Sequence, residues 1–254
     1  VTTYTLTFFP EIERIDVAEI EEAVLDASVH FAEVNGGVER DPRVRLFYDD
    51  ARTLFTTTAS TYDVIVSQPS NPWMVGVSGL FSRDFYELVK QRLSPGGVMT
   101  QWLQLYFMDA RSVALVLRTV LESFRHVQVW FSDAGDVILL GSRRPIRIPM
   151  ERVRRAYAAD PRIAAHMDAF GPGRLPEQFY GCYLMDRATV QRVVERFPRQ
   201  VMSDDHPVLE YWSVRSLYRE THDHIADLFR LKLGRDQVLP PGASGASPGG
   251  AMAG

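Results

Sequence analysis

The alternation of strand and helix patterns over residues 1–145 is the feature that most constrains the fold. Short apolar runs, separated by segments with helical periodicity, predict four strands: Arg14–Ile20, Arg43–Tyr48, Tyr62–Ser67 and Val98–Tyr106. Strands that alternate with helices in this way form a mostly parallel sheet with right-handed crossovers. Two more strands, Val127–Phe131 and Asp136–Gly141, are joined by a tight turn, which predicts an antiparallel hairpin at the sheet edge.

The pattern changes after residue 145. Residues 146–238 show helical periodicity without strands in between, at Met150–Tyr157, Ile163–Phe170 and Asp186–Phe197, and predict a helical C-terminal extension. Residues 239–254 are rich in Gly, Pro, Ala and Ser and have no periodicity, which predicts a disordered tail. The chain opens at Val1 directly into a structured pattern, so we expect an N-terminal part to precede it.

Composition narrows the class of protein. With 254 residues, 46% of them hydrophobic, the chain can bury a substantial core. A net charge of −4 argues against a nucleic-acid partner. The single cysteine, Cys182, excludes an internal disulfide and a multi-cysteine zinc site, and a lone thiol suits the cytoplasm. The sequence has no apolar run long enough for a transmembrane helix and no signal peptide.

Polar residues lie at the predicted carboxyl ends of the strands, where an open α/β sheet binds its ligand. Glu19 can accept hydrogen bonds from both hydroxyls of a ribose, or it is a solvated acid. Asp50 can accept a hydrogen bond from an adenine amino group, or it caps the following helix. Gln101 points at the ligand cleft, or it satisfies a buried polar neighbour.

Two other segments are candidates. The loop from Gln68 to Trp73, which continues to Gly79, is rich in Pro, Gly, Ser and Asn and is typical of a lid over a substrate. Its alternative is an ordinary connection with Trp73 packed on the surface. Asp204, Asp205 and His206 form an acidic cluster that is a cation site or a helix cap. Because adjacent side chains often diverge, we predict no metal there.

Five segments together resemble the spermidine synthase (polyamine aminopropyltransferase) family: Arg14–Glu21, Tyr48–Ala51, Tyr62–Trp73, Gly79–Phe81 and Pro95–Gln101. The resemblance covers about residues 1–145 and is greatest to bacterial spermidine-synthase-like domains that are often fused to membrane segments, whose C-terminal part resembles Asp204–Tyr211. It implies a Rossmann-like class I methyltransferase fold. It also implies transfer of an aminopropyl group from decarboxylated S-adenosylmethionine to putrescine, with release of methylthioadenosine.

The resemblance assigns roles to individual residues. Glu19 matches the acid that holds the ribose, Asp50 the acid that contacts the adenine, and Gln101 a glutamine that lines the polyamine site. The segment from Gln68 to Pro72 matches the family's Asp-Ser-Ser-Asp-Pro gatekeeping segment. Gln68 therefore takes the place of the aspartate that deprotonates the attacking amine, and Asn71 the place of the aspartate that attracts the diamine.

Two departures from the family follow. The family's glycine-rich nucleotide loop is expected just before Val1. A neutral amide at Gln68 cannot act as a base, and an alkylammonium with a pKa of about 10.4 is no nucleophile until it loses its proton. The loss of both carboxylates also removes the negative field that favours a dication. We expect Asp204, Asp205 or Glu210 to fold over the carboxyl edge of the sheet and supply the missing charge.

Three functions stay open at this point. The first is aminopropyl transfer from decarboxylated S-adenosylmethionine to putrescine or another amine, and the second is methyl transfer from S-adenosylmethionine. The third is a non-catalytic ligand-binding domain of a membrane protein, at the cytoplasmic face of the membrane. The family usually forms dimers or tetramers through an N-terminal hairpin domain that this chain lacks, so a homo-oligomer is left open.

Overall fold

The computed structural model describes residues 1–133 and 135–212. The predicted tail, residues 239–254, and the end of the predicted extension lie outside the described residues. The strands are β1 Ile15–Glu19, β2 Val44–Tyr48, β3 Tyr62–Ser67, β4 Leu93–Gln104, β5 His126–Asp133, β6 Asp136–Ser142 and β7 Tyr183–Asp186.

Helices connect and flank these strands. The longer ones are α5 Arg83–Arg92, α6 Ala110–Ser123, α7 Met150–Ala159, α8 Pro161–Phe170 and α10 Arg187–Val194. The shorter ones are α1 Thr2–Leu6, α2 Glu22–Ala27, α3 Ala32–Asn35, α4 Ala51–Thr57, α9 Pro176–Gly181 and α11 Val208–Trp212. Short 3-10 helices occur at Ser28–Phe31, Val38–Arg40 and Ser78–Phe81.

The strands form an α/β fold with parallel crossover units, as predicted. β1 pairs with β2 in parallel, and β3 pairs with β4 in parallel. β4 then pairs with β6, β6 with β5 and β5 with β7, all antiparallel, in the order β3-β4-β6-β5-β7. The predicted antiparallel hairpin is therefore confirmed, and β7 adds one more strand outside it and forms the edge.

Strands β1 and β3 belong to two separate sheets within the described residues, and each has one edge without a partner strand. Asp16 of β1 connects the two sheets. Its carboxylate accepts two hydrogen bonds from the Arg45 guanidinium, at 2.8 and 2.7 Å, and one from the Tyr62 hydroxyl of β3 at 2.9 Å. On β3, the side chains of Val64 and Val66 are 53% and 40% exposed.

The main core lies between the five-stranded sheet and helices α5, α6 and α10. The sequence predicts Ser82 and Asp109 as the capping residues of two helices, and α5 and α6 begin directly after them. The Ser82 hydroxyl accepts a hydrogen bond from the backbone N–H of Phe85 at 3.1 Å and caps α5, and Asp109 caps α6 through the backbone N–H of Ser112 at 2.7 Å. Such caps satisfy backbone donors that the first helical turn leaves without partners.

The part of the chain predicted to be entirely helical contains one strand, so the predicted absence of strands there is wrong at Tyr183–Asp186. With only four residues, this strand has too short a pattern to stand out, and its pairing with β5 stabilises it. Helix α10, which follows β7, is joined to α6 by hydrogen bonds from two arginine side chains. The buried Arg118 of α6 donates to the carbonyl oxygens of Val194 and Phe197, and Arg187 donates to two carbonyls at the end of α6.

The apolar residues between Glu21 and Val34 have helical spacing and predict one continuous helix, which the structure interrupts. The structure has α2, a 3-10 helix at Ser28–Phe31 and the short helix α3 in its place. The sequence Asn35-Gly36-Gly37 predicts the end of this helix. Helix α3 does end at Asn35, and the capping residue Gly36 has a φ of 68°, in the left-handed region that glycine adopts without strain.

Candidate functional site

The register of the parallel strands brings the sequence-predicted residues together in two pairs. Glu19, the last residue of β1, lies opposite Tyr48, the last residue of β2, and Asp50 follows two residues later. Gln101 in β4 lies opposite Ser67, the last residue of β3, and Gln68 is the next residue. All four therefore lie where parallel strands present their carboxyl ends, as the α/β pattern predicts.

The two acids already make local hydrogen bonds. One Glu19 oxygen accepts from the backbone N–H of Glu21 at 3.1 Å. One Asp50 oxygen accepts from the backbone N–H of Arg52 at 2.6 Å and caps α4, so the helix-cap alternative describes this contact. A carboxylate can accept several hydrogen bonds, so a cap does not prevent contact with a ligand.

Gln101 is buried without a partner. Its side chain is 0% exposed, and neither amide atom has a hydrogen-bond partner among the described residues. Across the sheet it lies in a row with Leu139, Val129 and Met185, all of them in the main core. Leaving a buried amide without partners costs about 1–3 kcal/mol. Within the described part of the chain, the alternative that Gln101 satisfies a polar neighbour is therefore wrong.

Gln104, at the end of the same strand, is a residue that the sequence analysis missed. It is also 0% exposed, and its amide has no partner within residues 1–133 and 135–212. The sequence signal was a second amide side chain in an otherwise apolar strand. Gln104 lies three positions from Gln101, so the two side chains point to opposite faces of the sheet.

The loop after β3 begins exposed and then packs onto the core. The Gln68 side chain is exposed and accepts a hydrogen bond from the Thr2 hydroxyl at 2.8 Å. The Asn71 carbonyl accepts from the N–H of Met74 at 3.0 Å and begins a series of tight turns. Trp73 packs against the main core, with its ring 6.1 Å from that of Phe107, so Trp73 is not simply a surface residue.

Phe107 has a strained backbone in the middle of the connection between β4 and α6. Its φ is 58°, a left-handed conformation that costs a bulky residue about 1–2 kcal/mol. Strain of this kind persists where surrounding contacts hold it, often at functional sites. The contact with Trp73 connects this strained residue to the loop.

The acidic cluster lies against the far end of the same loop. The Arg52 guanidinium forms an ion pair with the Asp204 carboxylate, and the Ser82 hydroxyl donates to it at 2.7 Å. Burial raises the pKa of Asp204, but the hydrogen bonds from Arg52 and Ser82 and the charge of Arg52 outweigh it, so the pKa is lowered overall. Asp205 is exposed, and a Glu210 oxygen accepts from the loop at Gly76 and Ser78.

This arrangement can bind polar groups but has no evident base on the loop. Gln68 and Asn71 are neutral. Of the acids that contact the loop region, Asp204 is paired with Arg52 and Glu210 accepts hydrogen bonds from Gly76 and Ser78. Among the described residues, no three or more His, Cys, Asp or Glu side chains come together as a metal site. Within the same residues, no helix has both the length and the apolar character needed to cross a membrane.

Comparison with known proteins places the chain in a family. A family model described as "Spermine/spermidine synthase domain" matches residues 1–132. A polyamine aminopropyltransferase of Nitrosomonas europaea is 31% identical over 124 residues, which cover 48% of this chain and 38% of that protein. Putrescine N-methyltransferase 2 of Nicotiana attenuata is 37% identical over 112 residues, which cover 41% of this chain and 30% of that protein.

The fold has a counterpart among solved structures. The crystal structure of a probable spermidine synthase from Corynebacterium glutamicum matches with a TM-score of 0.52 and 22% identity, over 75% of this chain and 63% of that chain. At this identity the likeness concerns the fold. The chain spans less than half the length of the two relatives compared above. From the match to residues 1–132, the chain belongs to the spermine/spermidine synthase family.

Proposed function

We propose that this protein transfers an aminopropyl group from decarboxylated S-adenosylmethionine to an amine acceptor. The observation that carries the proposal is the register of the parallel strands. It sets Glu19 beside the strand that leads to Asp50, and Gln101 beside the strand that leads to Gln68, in a member of the spermine/spermidine synthase family.

The residues divide into a nucleotide side and an acceptor side. Glu19 and Asp50 accept hydrogen bonds from the ribose hydroxyls and the adenine amino group. Gln101 offers a buried donor and acceptor to the incoming amine, which would satisfy an amide that has no partner among the described residues. Trp73 covers the acceptor and excludes water, as a lid does.

The cosubstrate supplies a carbon activated by a neighbouring sulfonium. The lone pair of a neutral amine nitrogen forms a bond to that carbon, and the carbon–sulfur bond breaks with its electron pair left on sulfur as a neutral thioether. The positive charge passes from sulfur to the nitrogen of the product, which leaves as an ammonium or releases its proton to solvent. The protein contributes alignment of the two reactants and a site for the charge. No metal is required, because the sulfonium is already a good leaving group.

The neutral amides change which acceptor fits. Gln68 and Asn71 cannot take a proton from an alkylammonium, and they do not attract a dication. The sequence offers Asp204 and Asp205 as replacements for the two lost carboxylates. Asp204 is compensated by Arg52, so the exposed Asp205 is the better of the two for attracting a cation. We therefore expect weak or no activity with putrescine and better activity with an acceptor that carries less charge.

A product assay tests the proposal. The chain, and a version extended upstream through the glycine-rich loop that the resemblance implies, are incubated with decarboxylated S-adenosylmethionine and a panel of amines. Mass spectrometry then measures methylthioadenosine and the aminopropylated amine. Equal amounts of both products, lost in Glu19→Gln, support the proposal. Binding of the cosubstrate without product from any amine would overturn it.

Methyl transfer is the second candidate, and one observation favours it. The putrescine N-methyltransferase relative is 37% identical over its matched residues, against 31% for the aminopropyltransferase relative. The same assay with S-adenosylmethionine distinguishes the two functions, because a methylated amine replaces the aminopropylated one. Binding of either adenosyl compound without turnover would instead support a ligand-binding domain.

A further inference from the structure

The segment of residues 202–212, here termed the C-terminal clamp, holds the second half of the loop that follows β3. The clamp is anchored in the core by Met202 and Leu209, which are both 0% exposed. The backbone N–H of Met202 donates to the Thr119 hydroxyl of α6 at 3.0 Å, and its carbonyl accepts from the N–H of Arg83 at 2.9 Å. The clamp is therefore fixed to the core and can fix other segments.

Glu210 binds the middle of the loop. One of its carboxylate oxygens accepts from the backbone N–H of Gly76 at 3.1 Å and from the Ser78 hydroxyl at 2.7 Å. Ser78 is 1% exposed, whereas Val75, just before Gly76, is 89% exposed. An anionic acceptor bound by two neutral donors makes strong hydrogen bonds. Glu210 therefore holds a stretch of loop that is otherwise open to solvent at Val75.

Asp204 binds the end of the loop. Its carboxylate pairs with Arg52 and accepts from the Ser82 hydroxyl at 2.7 Å, while Arg52 also donates to the Gly79 carbonyl at 3.0 Å. The backbone N–H of Asp204 donates to Asp84 at 2.9 Å. Because Arg52 lies two residues after Asp50, this contact joins the loop to the element that carries a proposed nucleotide ligand.

We propose that Asp204 and Glu210 are positioning residues that fix the loop, rather than groups that exchange protons or charge with the acceptor. Both carboxylates face donors of the loop or of Arg52. Two attachment points, at Gly76–Ser78 and at Gly79–Ser82, hold the loop before and along the 3-10 helix Ser78–Phe81. Trp73, three residues before Gly76, then stays on the core beside Phe107. The effect on catalysis rests on the proposed function, but the effect on the loop does not.

Hydrogen exchange of the loop measures the attachment directly. Glu210→Ala removes the acceptor, whereas Glu210→Gln keeps an oxygen in its place. We expect exchange of the amides at residues 74–80 to become about tenfold faster in Glu210→Ala and to change by less than about threefold in Glu210→Gln, since the hydrogen bonds survive in the latter. Glu122→Ala, an exposed acid on α6, is the control and should change nothing.

Ser78→Ala removes the other half of the same contact and keeps the test decisive if Glu210→Ala folds poorly. Ser78→Ala should accelerate amide exchange in the loop, as Glu210→Ala does. Because both substitutions break the same contact, the double variant Ser78→Ala/Glu210→Ala should exchange no faster than the faster of the two single variants. Unchanged exchange in all of these variants would overturn the proposal. Equal acceleration in Glu210→Gln and Glu210→Ala would overturn it as well.

Kinetics separate positioning from a role in charge. If Glu210 positions the loop, Glu210→Ala loses activity and Glu210→Gln recovers most of it. If Glu210 attracts a cationic acceptor, Glu210→Gln raises the KM for that acceptor as much as Glu210→Ala does, with normal exchange, and the proposal fails. If the wild type transfers no aminopropyl group, the proposed function is wrong. The hydrogen-exchange experiment would still test whether the C-terminal clamp holds the loop.

Discussion

Replacing Gln101 with leucine is expected to leave the protein equally or more stable, although the residue is fully buried. Gln101 and leucine are of similar size, and the amide has no hydrogen-bond partner among the described residues. Removing a buried unpaired amide recovers a desolvation cost of about 1–3 kcal/mol. We therefore expect Gln101→Leu to raise the free energy of unfolding by up to about 2 kcal/mol. Under the proposed function, the same variant loses its activity.

Gln128 provides the matched control in the same sheet. It is 5% exposed, and its amide is satisfied on both sides: it donates to the Ile146 carbonyl at 3.2 Å and accepts from the Trp130 indole N–H at 3.0 Å. Gln128→Leu leaves both of those groups unpaired, so we expect it to lower the free energy of unfolding by about 2–4 kcal/mol.

Urea unfolding, followed by circular dichroism, measures both variants against the wild type. The two substitutions remove the same side chain from buried strand positions, so only the hydrogen bonds differ. A loss in Gln101→Leu as large as that in Gln128→Leu would refute the reasoning, because Gln101 would then have partners in solution. A stable but inactive Gln101→Leu would instead indicate that the buried amide serves a ligand.

Three further predictions concern stability. Burial raises the pKa of Asp16, but its hydrogen bonds to Arg45 and Tyr62 and the charges of nearby arginines lower the pKa overall. The carboxylate of Asp16 therefore stabilises the fold fully above about pH 4, and this stabilisation is lost as the pH falls through the lowered pKa. In thermal melts, Asp16→Asn should make the melting temperature less dependent on pH in this acidic range. Gly141→Ala should cost about 1–3 kcal/mol in urea because its Cβ would lie 2.6 Å from the Phe124 ring, whereas Gly96→Ala, with open space, should cost little. Arg118→Met should lower the melting temperature, because the Arg118 side chain is buried, at 4% exposed, and donates hydrogen bonds to two carbonyl oxygens. Arg125 is exposed, so Arg125→Met should leave the melting temperature unchanged.

Local signals explain which parts of the fold could be predicted. Strand β3 lies at Tyr62–Ser67 as predicted, because a short apolar run bounded by turn residues identifies a strand. The burial that such a run indicates is wrong within the described residues, where Ile65 is buried but Val64 and Val66 are exposed. The caps at Ser82 and Asp109 were predicted because capping depends on neighbours within three residues. Strand β7 was missed because its stability comes from pairing with β5 and not from its own four residues.

In the candidate site, too, the features that depend on local sequence could be predicted, and those that depend on distant contacts could not. The general rule for open α/β sheets identifies Glu19, Asp50, Gln68 and Gln101 as carboxyl-end residues, since it needs only the order of the strands. No local pattern predicts that Arg52 pairs with Asp204, 152 residues away, or that Phe107 adopts a positive φ. The ion pair and the positive φ both depend on how distant segments of the chain pack together. The ion pair also determines whether the Asp204 carboxylate is available to a ligand.

The edge of β3 without a partner strand has a consequence for the behaviour of the chain in solution. Val64 and Val66 are exposed beside backbone groups that no strand of the described residues pairs. An open edge with apolar side chains is a template for strand addition from another molecule. We therefore expect residues 1–212 by themselves to self-associate as their concentration rises, and Val64→Lys to suppress the resulting aggregation.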